Sequence, residues 1–230
     1  MIKAVIFDLD NTLYDYNAND VIAMRALCAF ARENLDLDEE SFRKVYAEAR
    51  RIVKERLTEG AGQHNRMLFF QAALELIGKN PFHYAAEMYE TYWGTFLKNM
   101  SLYDGALEFL QRLKAESFKT AICTDMTAHI QYRKIKRLGI SDLIDAIVTS
   151  EEVGFEKPSP LIFERVLEKL KVEANEAAYF GDSFRKDIEG SANCGMKPFY
   201  FIADREVNER ALAYPKIKSY KDLDLRSLFK

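Results

Sequence analysis

"VIFDLDNTLYD" (residues 5–15) carries an apolar run into Asp8 and Asp10, two positions apart, with Asp15 close behind. The run begins within "IKAVIF" (2–7), rich in β-branched and apolar residues without strict alternation, the pattern of a strand covered on both faces. Side chains two apart on a strand point the same way, so a chain extended through Leu9 would aim both carboxylates at one spot. Two like charges about 4 Å apart repel by roughly 4 kcal/mol at an effective dielectric near 20. Something positive must oppose them, a bound cation first of all.

Working outward, short apolar runs of the same kind recur at "KTAICT" (119–124), "DAIVTS" (145–150), "EAAYFGD" (176–182) and "KPFYFIA" (197–203). Helical spacing lies between them. "GALEFLQRLKAE" (105–116) places Leu107, Leu110 and Leu113 on one face, and "PSPLIFERVLEKL" (158–170) places Ile162, Val166, Leu167 and Leu170, with Pro158 where a first helical turn tolerates it. Strand then helix, repeated, predicts an α/β fold with a doubly wound parallel sheet whose ligands gather at the carboxyl ends of the strands.

Residues 17–98 read differently, with helical spacing throughout. Phe42, Val45, Tyr46, Ala49, Ile52, Val53 and Leu57 form one stripe behind the acidic "DEESF", and Met67, Phe70, Leu74 and Ile77 form another, closed by Gly78 and "NP" (80–81). The expected organisation is an α/β core of residues 1–16 and 99–230, interrupted just after the first strand by an all-helical insert of residues 17–98. Hinges are expected at 14–18 and 98–104.

The totals narrow the class. A hydrophobic content of 48% with 30% charged residues is ordinary for a globular chain of 230 residues, and a net charge of −3 argues against a broadly basic nucleic-acid surface. The apolar start runs into Asp8 too soon for a signal peptide, and no later stretch approaches about 18 uncharged apolar residues, so the expectation is a cytoplasmic protein. Cys28, Cys123 and Cys194 are widely spaced without a CxxC pair, which fits reduced thiols.

Further chemistry sits at the other strand ends. "GDSFRKD" (181–187) puts Asp182 at the end of one apolar run and Asp187 one short loop later, so four acids could converge on one sheet edge and hold Mg2+ through hard oxygens. Alternatively, Asp182 caps a helix and Asp187 faces solvent. In "FEKPSP" (155–160), Lys157 precedes a helix opened by Pro158 and could reach an anion at the edge, or it is a solvated surface lysine. Thr124, ending "TAICT", offers a hydroxyl to phosphoryl oxygens or serves only the strand end.

The ordered set of DxDxT at the first strand, Thr after the second, Lys-Pro later and GDxxxxD last resembles the haloacid dehalogenase superfamily, in particular its phosphatase-like members with a helical C1 cap. "FDLDNTL", "EKPSPLIF" and "GDSFRKDIEGSANCGM" carry the likeness, which extends from Met1 to about residue 203. The resemblance implies a Rossmann-like core and an aspartyl-phosphate formed on Asp8. It implies Asp10 as the acid that protonates the departing oxygen and the base that then activates water. Thr124 and Lys157 would hold the phosphoryl group, with Thr12 and Asp125 beside them at the substrate. Mg2+ would be bound by Asp8, the Asp10 main-chain carbonyl, Asp182 and Asp187, the last directly or through a water.

Two positions depart from the family pattern. Asp125 stands where many relatives carry asparagine, an extra negative charge beside an anion site unless it points away or meets a cation. Ser191 stands where alanine is usual. The members closest in appearance hydrolyse nucleoside monophosphates and N-acylneuraminate 9-phosphate, so the expected partner is a small phosphorylated metabolite, not a nucleic-acid polymer or a membrane. A 2-haloacid dehalogenase, a sugar-phosphate mutase and a non-catalytic phosphate sensor are the alternatives, and Asp10 favours phosphoryl chemistry over the first.

In the insert, Tyr14, Tyr16, Tyr89, Tyr92 and Trp93 could face a cleft. His64, Asn65 and Arg66, clustered after "GAGQ", are the preferred substrate contacts. The amphipathic helices there fit a homodimer and an isolated bundle equally.

Overall fold

A computed structural model describes residues 1–57, 60–203, 213–221 and 223–229. In chain order the main elements are β1 (Ala4–Phe7), α1 (Tyr16–Asn34), α2 (Glu39–Arg56), α3 (Arg66–Leu76), α4 (Pro81–Asn99), α5 (Ala106–Ala115), β2 (Lys119–Thr124), α6 (Ala128–Leu138), β3 (Ala146–Thr149), α7 (Ser150–Val153), α8 (Pro160–Leu170), β4 (Ala177–Gly181), β5 (Lys197–Phe201) and β6 (Lys216–Ile217). They fall into two compact units, Met1–Asp15 with Ser101–Lys230, and Tyr16–Met100.

The first unit is built on a six-stranded sheet of order β3-β2-β1-β4-β5-β6, each neighbouring pair parallel. Parallel strands buried on both faces need continuous apolar runs, and Ala4–Phe7 is buried at every position. Alternation divides the two faces. Ala4, Ile6, Ala121, Cys123, Ala177 and Tyr179 pack with Ile162, Phe163 and Val166 of α8. On the other face Phe7, Phe109, Phe180 and Tyr220 form a ring cluster with centroids 5.2–6.5 Å apart. Because β2 and β4 flank β1 on opposite sides, the chain reverses its direction of travel across the sheet there, and a crevice opens at the strands' carboxyl ends.

Three details differ from the sequence reading. In α5, Leu110 and Leu113 are buried with Phe109, whereas Leu107 is 37% exposed, because the aromatic ring claims the sheet-facing side. Helix α8 begins at Pro160, where the missing N–H costs no hydrogen bond; Pro158 lies in the preceding turn, after a cis peptide bond with Lys157. The two-residue β6 is an added edge strand that no apolar run announced.

The second unit is all helical. Its helices start where their sequence supplies acceptors for exposed N–H groups: Asp38 takes Ser41 N, Asn65 takes Met67 N, and Asn80 takes Phe82 N, with Pro81 opening α4. The predicted α2 stripe is buried at Phe42, Tyr46, Ala49 and Val53. Tyr92, Trp93 and Phe96 of α4 are 0–1% exposed and form the aromatic centre with Phe70. Among the described residues, no helix is long and apolar enough to cross a membrane.

Candidate active site

Asp8 continues the β1 ladder one residue past the strand, its N–H donating to Phe180 O at 2.8 Å. It therefore keeps the register of Ala4 and Ile6. The chain then turns: Leu13 N reaches back to Leu9 O at 3.1 Å, Asn11 has φ +60°, and Asp10 bridges to Tyr14. The two carboxylates that an extended chain would have aimed together go instead to different lysines.

Lys157, 4% exposed, donates from Nζ to Asp8 Oδ1 and Asp187 Oδ1, each at 2.6 Å, and to Cys123 O and Tyr179 OH, each at 3.2 Å. Burial opposes its ammonium charge, but Asp187 and Asp8 override that and hold it well above the usual lysine range. Asp8 is 5% exposed, and Thr12 Oγ1 donates to its Oδ2 at 3.3 Å. Burial pushes the Asp8 carboxyl up; Lys157 pulls it down, while Asp187, Asp182 and Asp10 add to the rise, leaving it well above the ordinary carboxylate value.

Asp187 is fixed by Ser183 N, which donates to its Oδ2 at 2.9 Å. Gly181 makes that approach possible: a Cβ there would lie 2.3 Å from Asp187 Cβ. Asp8, Asp182 and Asp187 each bring a carboxylate oxygen to within 4.8 Å of the others, an all-oxygen set suited to a hard divalent cation. The Asp10 carboxylate is outside this group. Lys134, 0% exposed, holds it from α6 with Nζ at 2.7 Å from Oδ1 and 2.8 Å from Oδ2, and Tyr14 OH donates to the same Oδ1 at 2.5 Å.

At the end of β2, Thr124 Oγ1 accepts from Gln131 Nε2 at 2.8 Å and donates to Asp125 O at 3.2 Å. Asp125 does meet a cation: Lys186 Nζ donates to its Oδ2 at 2.8 Å, while the main-chain N–H of Lys157 donates to its Oδ1 at 3.0 Å. Burial opposes the Lys186 charge, and Asp125 with Glu156 more than restores it. Ser191 is buried, donating to Ile188 O at 3.4 Å. Cys123 is a buried thiol whose pKa burial raises, in keeping with an inert packing role.

The three preferred contacts of the helical insert have occupations inside the helical unit. Asn65 caps α3. Arg66, 8% exposed, donates to Tyr16 OH and, at 3.0 Å, to Asp20 Oδ1, with its guanidinium 4.3 Å from the Tyr92 ring centre and 4.9 Å from that of Trp93. An arginine expected at the substrate is thus wrapped in rings, because its flat face stacks on them. His64 ends a short 3₁₀ turn, Ala61–His64. Tyr14, grouped with the insert from sequence, belongs to the α/β unit and is fully buried.

Sequence reasoning passed over Lys134, Gln131, Tyr179 and Lys186. Lys134 and Gln131 did leave a signal: two polar residues lie on the buried stripe of α6 with Ile130 and Ile135.

The family description "haloacid dehalogenase-like hydrolase" matches residues 2–195. The chain belongs to that family. This hydrolase is 38% identical over 90% of its length to a ribulose-1,5-bisphosphate 5-phosphatase of Halopiger xanaduensis, covering 87% of it. It is 36% identical over 85% of its length to a glyceraldehyde 3-phosphate phosphatase of Methanopyrus kandleri, covering 82%. Among solved structures, a 2-haloacid dehalogenase of Pseudomonas syringae superimposes with a TM-score of 0.77 at 25% identity, with 96% of this hydrolase and 95% of that chain covered.

Proposed function

We propose that this hydrolase is a phosphomonoesterase for a small sugar phosphate, working through a phosphoaspartyl intermediate on Asp8. The observation that carries the reading is the division of charge at the carboxyl ends of β1 and β4: Asp8 sits with Lys157, Asp182 and Asp187, while Asp10 is held apart by its own lysine. The sugar phosphates named in the two phosphatase relatives support the substrate class.

In the proposed sequence an Asp8 oxygen attacks phosphorus and the ester P–O bond breaks. Asp10, which must first take up a proton from solvent, gives it to the departing alkoxide. Water then attacks phosphorus, Asp10 takes a proton from it, and inorganic phosphate leaves with Asp8 restored. Lys157 and the Thr124 hydroxyl are placed to neutralise and orient phosphoryl oxygens, the electrostatic part of such transfers.

The three-carboxylate set fits Mg2+, which favours oxygen ligands and retains waters. Asp8, Asp182 and Asp187 would hold it, and it would supply positive charge against the phosphoryl oxygens. The helical unit is read as the cap that selects the rest of the metabolite.

Phosphate release from a panel tests the reading: glyceraldehyde 3-phosphate, ribulose 1,5-bisphosphate, nucleoside monophosphates and N-acylneuraminate 9-phosphate, with Mg2+ or a chelator. Metal-dependent release, fastest from a sugar phosphate, is expected. Halide release from 2-haloacids in the presence of chelator, with no ester cleaved, would replace it with the dehalogenase; tight phosphate-ester binding without turnover would replace it with a sensor.

A further inference from the structure

Helix α6 carries two fully buried polar side chains three residues apart, Gln131 and Lys134, which therefore share a face. Each reaches a different strand end. Gln131 Nε2 donates to Thr124 Oγ1 and to Asp125 O, both at 2.8 Å, at the end of β2. Lys134 Nζ donates to both oxygens of Asp10, beyond β1, and passes within 3.6 Å of Met126 Sδ. A leucine or methionine would fill the Lys134 position without desolvating an ammonium group, so packing does not account for it. Three bonds, two from Lys134 and one from Tyr14, leave the Asp10 carboxylate little freedom to rotate.

From this geometry we infer that α6 is a positioning element that sets two corners of the site from one rigid face: Lys134 orients Asp10, and Gln131 orients the Thr124 hydroxyl. The inference rests on the roles given above to Asp10 and Thr124. Reacting groups must be held within about 0.5 Å of their working geometry, and two groups at the ends of different strands gain that precision from a shared helix. Neither α6 residue reacts; each acts through the group it holds.

The two corners have separable readouts. Asp10 matters most when the leaving oxygen needs a proton. An alkyl phosphate such as glyceraldehyde 3-phosphate needs one, whereas 4-nitrophenyl phosphate releases a stable phenolate without it. The ratio kcat/KM reports steps through departure of that first leaving group. Lys134→Met should lower kcat/KM for glyceraldehyde 3-phosphate about 100-fold, within the range that acid catalysis supplies, and for 4-nitrophenyl phosphate by less than about threefold. Lys134→Gln, which keeps a donor, should recover part of the loss and carries the same comparison if the methionine variant does not fold. Gln131→Met should instead weaken inorganic phosphate inhibition and raise KM about tenfold for both esters, the effect of one lost hydrogen bond, with kcat within about threefold.

Asp10→Asn, assayed in parallel, separates the two levels. If it falls equally on both esters, the role of Asp10 is wrong and the inference about Lys134 goes with it. If Asp10→Asn discriminates between the esters and the Lys134 variants do not, only the positioning role of Lys134 is overturned. A Gln131→Met enzyme with unchanged phosphate inhibition would overturn the other half.

Discussion

Both units bury cations, in opposite company. In the α/β unit Lys157 and Lys134 end on carboxylates, and the acids outnumber them: Asp8, Asp182 and Asp187 in one group, Asp10 beside it. In the helical unit Arg66 lies against the faces of Tyr92 and Trp93 and closes on Asp20 and Tyr16, so its single charge is answered by one carboxylate and by ring electrons. The first arrangement crowds like charges together at a largely buried strand edge, a cost a protein keeps where chemistry requires it. The second is balanced within itself, as a structural centre is.

Substitution of Asp8 should bring out the first half of the contrast. Asp8→Asn removes the nucleophile and is expected to lower turnover by at least about 10³-fold. Yet it should not destabilise the metal-free protein. The Asp8 carboxyl is raised in the folded state, so the native chain holds a proton that the unfolded chain has released above its ordinary value of about 3.9. Where the native state binds more protons, stability falls as pH rises. Urea unfolding in chelator should therefore show native Asp8 costing stability from about pH 4 upward until the pH passes its raised folded value. The asparagine variant should lose that slope. Lys157 does not confuse the window, because its raised value keeps it charged throughout and its contribution is lost only in strong alkali. A variant less stable than the parent at neutral pH would mean that Lys157 already neutralises the crevice.

The sequence exposed the α/β unit more fully than the helical one, for a physical reason. Chemistry at strand ends interrupts an apolar run, as at Phe7–Asp8, Thr124–Asp125 and Gly181–Asp182, and such interruptions stand out in one dimension. The same logic failed at Lys134. Its role exists only because α6 turns that face toward Asp10, and the clue was a polar pair on an apolar stripe. Short β6 was hidden because two residues have no period; pairing with β5 defines it. In the helical unit, Asn65 and Arg66 looked available because helix caps and stacked arginines use the residue types of ligand sites.

Arg66 offers the sharpest test of the other half. Arg66→Met keeps the apolar stem but leaves Asp20, whose side chain is 35% exposed, with the Tyr92 hydroxyl and no cation, and removes the stacking on Tyr92 and Trp93. The loss should be about 3 kcal/mol, near the lower end for a buried pair because Asp20 retains some water. KM should stay within about twofold of the parent, since a group committed to the bundle has little to offer a ligand. Arg66→Lys should recover only part of the stability, because an ammonium cannot stack as a guanidinium does. A large rise in KM with unchanged unfolding would restore Arg66 as a substrate contact and dissolve the contrast between the units.

Asn65 supplies the smallest effect and a finer distinction. Its side chain accepts Met67 N at 3.0 Å, meeting one of the unpaired donors at the start of α3. Asn65→Ala should therefore cost about 1 kcal/mol of stability, read by chemical denaturation. Asn65→Asp and Asn65→Ser retain an acceptor and should cost far less. If capping is its whole role, KM will be the same in all three variants, since they differ only in how well α3 begins. If Asn65 also meets the substrate, the aspartate variant separates the roles: it preserves the cap while placing a negative charge against a phosphorylated ligand, so KM would rise with stability intact.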